Sequence, residues 1–215
     1  MGHRRGFVVL AALLLGGCAS TGPPGESAAP ATSPLIAATT VPVTVAPATA
    51  VPEPAAVPVF GFALPESIDG WRTQNDPVMG GRSSSAVTWA DAALVFEGDL
   101  SLANGGGFVS VVSPSLVDPA WKWADAVTVE ASGDGRTYVL QLRTTGTGNW
   151  VQQFPTTAGA PTTAILSWAA FVPVNRFLDP VPAPGPLDPA TVASVAVYLL
   201  DGQEGPFRLA VRAIG

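Results

Sequence analysis

Sixteen carboxylates, one thiol and one imidazole are the reactive stock of this 215-residue chain. Cys18 stands directly after Leu15-Gly16-Gly17, at the end of an apolar run from Gly6 that follows His3, Arg4 and Arg5. A positive n-region, a short apolar h-region and a small-residue cleavage site make an export signal. A cysteine set directly after the small residues follows the pattern of a bacterial lipobox, where the sulfur is alkylated with diacylglycerol and the chain is cut before it. A run this short cannot span a bilayer, which takes about 20 residues. The expectation is a lipoprotein signal peptide over residues 1–17, lipidation at Cys18, and an exported protein anchored at the outer face of the cytoplasmic membrane or in the periplasm. His3 leaves with the signal. The mature chain then has no imidazole and no free thiol, so neither a Ser-His-Asp nor a Cys-His set can be assembled.

Carboxylates alone suffice for glycoside hydrolysis. Glu97-Gly98-Asp99 opens like an E-x-D-x-x-E glucanase signature, but Leu102 stands where the third acid belongs. A carboxylate-based hydrolase is therefore the weakest functional reading, and no catalytic residue is expected. Asp201 and Glu204, in Asp201-Gly202-Gln203-Glu204-Gly205-Pro206-Phe207, are weak candidates for calcium through hard oxygen ligands. Solvated acids in a hairpin are the plainer reading, so no cofactor is expected beyond that minor structural calcium.

Polar residues in turn-rich stretches are the candidates for binding. In Asn75-Asp76-Pro77-Val78-Met79-Gly80-Gly81-Arg82-Ser83-Ser84-Ser85, Asp-Pro starts a turn and paired glycines permit positive φ. Arg82 then offers a fork of donors to a carboxylate or a sugar hydroxyl. Asn104-Gly105-Gly106-Gly107-Phe108 reads as a tight hairpin turn, with no phosphate-loop pattern around it. Six tryptophans divide between core and surface; Trp121 and Trp123 point the same way if they lie on a strand. Trp150, beside Gln152 and Gln153, is a candidate stacking platform for a sugar ring, against the ordinary alternative of a core position. The binding candidates are Asp76, Arg82, Asn104, Arg143, Trp150, Gln152 and Asp201, with several expected at one end of the domain.

The elements that must hold these residues divide the chain in three. After the signal, residues 18–58 carry the lipidated cysteine and an Ala/Pro/Thr/Val-rich stretch with almost no charge. Frequent proline blocks helix and ladder alike, so this reads as a disordered tether leaning to polyproline II, reaching about 120 Å at ~3.1 Å per residue. A glycosylated stalk is the alternative. Residues 59–215 form the globular part, long enough to bury roughly 68–70% of its unfolded surface. About nine strand-like runs show period-2 alternation. In Thr137–Thr144, Tyr138, Leu140 and Leu142 alternate with Val139, Gln141 and Arg143; Phe207, Leu209 and Val211 alternate with Arg208, Ala210 and Arg212. Gly133-Asp134-Gly135 reads as a hairpin turn before Thr137. An all-β, antiparallel two-sheet β-sandwich or jelly roll fits this pattern best. Processing removes Arg4 and Arg5, leaving 8 basic and 16 acidic residues and a formal charge of −8. That balance excludes a nucleic-acid partner, which needs a basic patch.

Taken together, the 75–85 stretch, Phe96-Glu97-Gly98-Asp99-Leu100-Ser101-Leu102, Asn104–Val111, Gly133-Asp134-Gly135-Arg136-Thr137-Tyr138, Gln141-Leu142-Arg143, Gln152-Gln153-Phe154, Phe171-Val172-Pro173 and Asp201–Phe207 resemble the complex I intermediate-associated protein 30 family. The resemblance covers about residues 60–215. It implies a galactose-binding-like β-sandwich and a non-enzymatic role. Mitochondrial members assist assembly of NADH:ubiquinone oxidoreductase, whereas this chain has an export signal and a proline-rich tether. The leading expectation is a membrane-anchored lipoprotein whose sandwich binds a protein partner and aids assembly of an envelope or respiratory complex. The alternative is a carbohydrate-binding module for cell-wall or extracellular glycan.

Overall fold

A computed structural model describes residues 58–76, 80–146 and 148–215. The expected signal, Cys18 and the expected tether up to residue 57 lie outside the described residues, as do Pro77, Val78 and Met79 of the Asp-Pro loop. The described part is all-β, with only short 3-10 turns between strands. Its strands form two six-stranded sheets in which every pairing is antiparallel. The first sheet is ordered β3 (Ser84–Ala90), β4 (Ala93–Leu100), β12 (Gly205–Ile214), β6 (Ala126–Ser132) and β9 (Pro161–Ser167), with the short β1 (Phe60–Gly61) also on β12. The second is ordered β10 (Val172–Val174), β8 (Asn149–Pro155), β7 (Thr137–Thr144), β11 (Val192–Leu199), β5 (Val109–Val112) and β2 (Arg72–Asn75).

The core lies between the two inner faces and follows the alternation. Leu94, Phe96 and Leu100 of β4, Phe207, Leu209 and Val211 of β12, and Val127 and Val129 of β6 meet Tyr138, Leu140 and Leu142 of β7 and Val195, Val197 and Leu199 of β11. The rings of Phe96 and Phe207 pack edge to face at 4.9 Å, a geometry favoured by the ring quadrupoles. Gly98 has to be glycine. A Cβ there would stand 2.0 Å from the Ser84 carbonyl oxygen, which is backbone of the neighbouring strand and cannot swing away.

Three turns read as hairpins are corners instead. Strand β6 pairs with β12 and β9, and β7 pairs with β8 and β11, so Gly133-Asp134-Gly135 carries the chain from one sheet to the other. The Asn104–Phe108 stretch does the same between β4 and β5, and Asp201–Gly205 between β11 and β12. Alternation and turn residues say that the chain reverses. Which edge the next strand joins is decided by long-range pairing. Trp121 and Trp123 are a second correction. They sit in a turn, not on a strand, with Trp121 buried and Trp123 86% exposed.

The second sheet departs from simple inside–outside alternation. Tyr138 to Leu142 are buried without a break, and so are Val195 to Leu199. An antiparallel sheet with a solvated back would expose every second residue. Here the back carries its own apolar cluster of Val112, Val139, Ala196 and Tyr198, against which Phe108, Val151, Leu178 and Leu200 pack.

Candidate functional site

Most of the polar motifs are spent on holding corners. Asp76 is 1% exposed, and its carboxylate accepts four hydrogen bonds. The Ser83 amide donates to Oδ1 at 2.9 Å; the Ser83 hydroxyl (2.6 Å), the Gly107 amide (2.6 Å) and the Phe108 amide (3.3 Å) donate to Oδ2. Burial alone would raise the Asp76 pKa, but these donors outweigh it and the net shift is downward. The close approach explains the glycines. A Cβ at Gly81 would fall 2.3 Å from Asp76 Oδ1, and one at Gly106 would fall 2.5 Å from Oδ2. One carboxylate thus pins the Asp-Pro loop to the Asn-Gly-Gly-Gly loop.

A second lock joins Gly133–Tyr138 to Asp201–Phe207. The Arg136 guanidinium donates to the carbonyls of Gln203, Glu204 (3.2 Å) and Pro206 (2.8 Å) and pairs with Asp134 at 3.3 Å. The Gln203 side chain mimics a strand: Oε1 accepts from the Thr137 amide at 3.0 Å, and Nε2 donates to the Thr137 carbonyl at 2.7 Å. Asp134 accepts from the Tyr138 hydroxyl and the Arg208 amide. Burial, with the Asp134 carboxylate beside it, pushes the Tyr138 hydroxyl pKa far up, so it stays a protonated donor.

What these locks do not absorb lies on the back of the second sheet. The registers align three rows across it. One reads Gln153, Val139, Tyr198, Ser110, Gln74; the next reads Val151, Gln141, Ala196, Val112, Arg72; the third reads Asn149, Arg143, Ser194. Four strand spacings make the first row about 19 Å long. Gln141 (2% exposed) and Tyr198 (8%) lie in the floor, while Arg143 is half-buried beside them. Arg143 Nε donates to Gln141 Oε1 at 2.8 Å and Nη2 to the Tyr198 hydroxyl oxygen at 3.2 Å; the Tyr198 hydroxyl is 3.4 Å from the same Gln141 oxygen. Exposed Gln153 donates to Asp201 Oδ2 at 3.1 Å at the far rim. The pKa of Asp201 is raised, chiefly by burial of its carboxyl and against the pull of that hydrogen bond. The arrangement is an apolar floor bordered by amides, hydroxyls and a guanidinium.

The remaining candidates scatter. Asp76, Asn104 and Asp201 share the end of the sandwich where β2 and β11 finish and β5 begins. Arg143 lies toward the opposite end. Arg82 is exposed in its loop, and Asn104 is exposed at φ 57°. Glu204 Oε1 accepts from the Leu102 amide at 3.1 Å, away from the Gln153 contact of Asp201. Among the described residues, no group of three or more His, Cys, Asp or Glu is placed to hold a metal. Trp150 corrects the sequence reading. It is 3% exposed on the inner face of β8, so it is no open stacking platform. It floors an apolar groove of about 460 Å³ shared with Trp168, Phe171, Pro173 and Leu187. Gln152 also faces inward, with its Oε1 buried and unpartnered. Gln141 and Tyr198 were missed as candidates. Alternation put Gln141 on the face of Arg143, but only the β7–β11 register brings Tyr198 to them.

Fold and site together define a two-sheet antiparallel β-sandwich with a hydrogen-bonded network of polar side chains on the back of one sheet. Residues 60–211 match the complex I intermediate-associated protein 30 family, and the chain belongs to that family. No curated protein matches the chain. Among solved structures it is similar to the agarase AgWH50C, at 11% identity and a TM-score of 0.50, over 74% of this chain and 24% of that one. It is also similar to the family 11 carbohydrate-binding module of a cellulosomal cellulase of Clostridium thermocellum, at 14% identity and a TM-score of 0.49, over 67% and 85% of the two chains. The module solved with a β-1,3-1,4-mixed-linked tetrasaccharide gives 15% identity, a TM-score of 0.48 and 68% and 87% coverage. Such identities speak for the fold alone.

Proposed function

We propose that the chain is a non-catalytic binding module that takes a glycan on the back of its second sheet. The observation that carries this is the network of Gln141, Arg143 and Tyr198 on an apolar floor. A sugar ring presents an apolar face and a rim of hydroxyls. The half-buried Phe108, Val151, Leu178 and Leu200 that pack over Val112, Val139 and Ala196 offer apolar contact, and the amide and guanidinium groups beside them offer partners to hydroxyls. The back holds many hydrogen-bonding groups and few charges, as hydroxyl recognition requires. The test is affinity electrophoresis of the full chain in gels cast with a panel of cell-wall and extracellular polysaccharides. At least one polysaccharide is expected to retard it, and Tyr198→Ala is expected to weaken that binding at least about tenfold, the loss of roughly 1.4 kcal/mol. Retardation by none, or an unchanged Tyr198→Ala, overturns the reading.

A protein partner is the second reading, and the groove at Trp150 favours it. Its lining of Trp168, Phe171, Pro173, Pro186 and Leu187 offers apolar contact rather than partners for hydroxyls. Cross-linking that places a partner at Trp168 and leaves polysaccharide binding absent would decide for it. We also propose that the module is exported and held through lipid on Cys18. Cys18→Ser is expected to stop incorporation of labelled palmitate and to change membrane fractionation; unchanged labelling refutes the anchor.

A further inference from the structure

We propose that Arg143 is the seat of a carboxylate carried by the glycan, so that the ligand is an acidic, uronate-bearing polysaccharide. The inference rests on the glycan reading above and adds the ligand's charge. A guanidinium has five N–H donors and cannot lose its proton. Arg143 commits Nε and Nη2 to Gln141 and Tyr198, and both acceptors are neutral. Among the described residues, ion pairs are made by Arg136 and Arg208, and no carboxylate lies within 4.0 Å of Arg143. Its cross-strand neighbours in the same row are Asn149 and Ser194, neutral on both sides. Asp201, the carboxylate on the rim of this back face, lies two rows away and is engaged by Gln153. The same face carries a second cation, Arg72, exposed in the row of Gln141.

A half-buried charge without a counter-ion is an expense that folds avoid. In a chain of net charge −6, carboxylates are abundant enough to have supplied one. The two neutral acceptors do for Arg143 what supporting groups do in a recognition site: they fix the plane of the fork and leave its other donors free. A carboxylate accepts such a fork through two parallel hydrogen bonds, about twice as strong as those to a neutral hydroxyl. Gln141 and Tyr198 thus act as positioning residues, and Arg143 makes the contact.

The experiment titrates the full chain with polygalacturonate, alginate and hyaluronate, each compared with its own carboxyl-methylated form, and with neutral polysaccharides from the panel above. At least one acidic polymer is expected to bind about tenfold or more tighter than its ester, with an affinity that falls as salt rises. Arg143→Gln is expected to abolish that preference, so that acid and ester bind the variant with equal affinity. Arg143→Lys, which keeps the charge and loses the planar fork, is expected to fall between. Thermal midpoints within a few degrees of wild type confirm that both variants are folded. Equal binding of acid and ester, or an Arg143→Gln that keeps the preference, overturns the inference and leaves the glycan reading standing. Binding to none of the acidic or neutral polymers overturns both.

Discussion

Asp76→Ala is expected to lower the free energy of unfolding by about 3–5 kcal/mol, the largest polar effect in the domain. The substitution orphans three backbone amides that now converge on a buried carboxylate and leaves the Ser83 hydroxyl only its longer contact to the Ser101 carbonyl, at 3.2 Å. Each buried donor left without a partner costs about 1–3 kcal/mol, and partial relaxation of two loops keeps the total below the sum. Asp76→Asn separates the contributions. With its carbonyl at the Oδ2 position it keeps three donors and turns its own N–H groups toward the Ser83 amide, so its cost is expected to be about half as large. Chemical denaturation of the three proteins checks the order. The pH dependence follows from the lowered pKa. A carboxylate whose folded pKa lies below its unfolded value stabilises the fold at pH above the unfolded value, about 4, and that stability is lost as pH falls through the folded pKa. Wild type and Asp76→Ala should therefore converge in stability as the medium is acidified below pH of about 4. Curves that stay parallel to pH 2 would show that the carboxylate charge contributes nothing.

The same aspartate shows what the sequence could and could not convey. Strand identity was legible where one face is apolar, as in β7 and β12, because alternation reports burial directly. It was not legible in β3. Ser-Ser-Ala-Val-Thr-Trp-Ala is an edge strand paired with β4 alone in its sheet, and it carries few large apolar side chains. Its hairpin with β4 turns on Asp91 and Ala92, both at positive φ, rather than on Asn-Gly, so the strongest local hairpin signal is missing. The glycine-rich motifs announced turns correctly, and the structure makes them corners between sheets. That distinction depends on which strand edge is free, a property of the whole topology. The site was half legible for the same reason. Gln141 and Arg143 share a face by period 2 within one strand. Tyr198 joins them across a register about 55 residues distant in sequence, which no local pattern encodes. Asp76 and the Asp201–Phe207 stretch stood out among the motifs because close packing needs those residue types, and that signal looks the same as a binding signal until partners are seen.

Trp150 is where the two kinds of signal divide most sharply, and Trp150→Ala is expected to cost about 3–5 kcal/mol, as truncation of a buried large aromatic does. Its side chain lies between the sheets, in register with Leu142 on β7 and Pro173 on β10. Removing it opens a cavity that merges with the groove beside Trp168 and Phe171. The indole also carries a buried Nε1 with no acceptor. Trp150→Phe discards that unpaired donor and keeps most of the apolar contact, so relief of the donor's desolvation offsets part of the lost volume. More than half of the stability lost in Trp150→Ala is therefore expected to return in Trp150→Phe, measured by guanidinium denaturation. Glycan affinity supplies the second readout. Trp150 faces the core, whereas Arg143, Gln141 and Tyr198 occupy the opposite face of the same sheet. Trp150→Phe should then bind polysaccharide as wild type does. A folded Trp150→Phe that had lost its affinity would move the ligand from the back of the sheet to the groove, and the network around Arg143 would need another purpose.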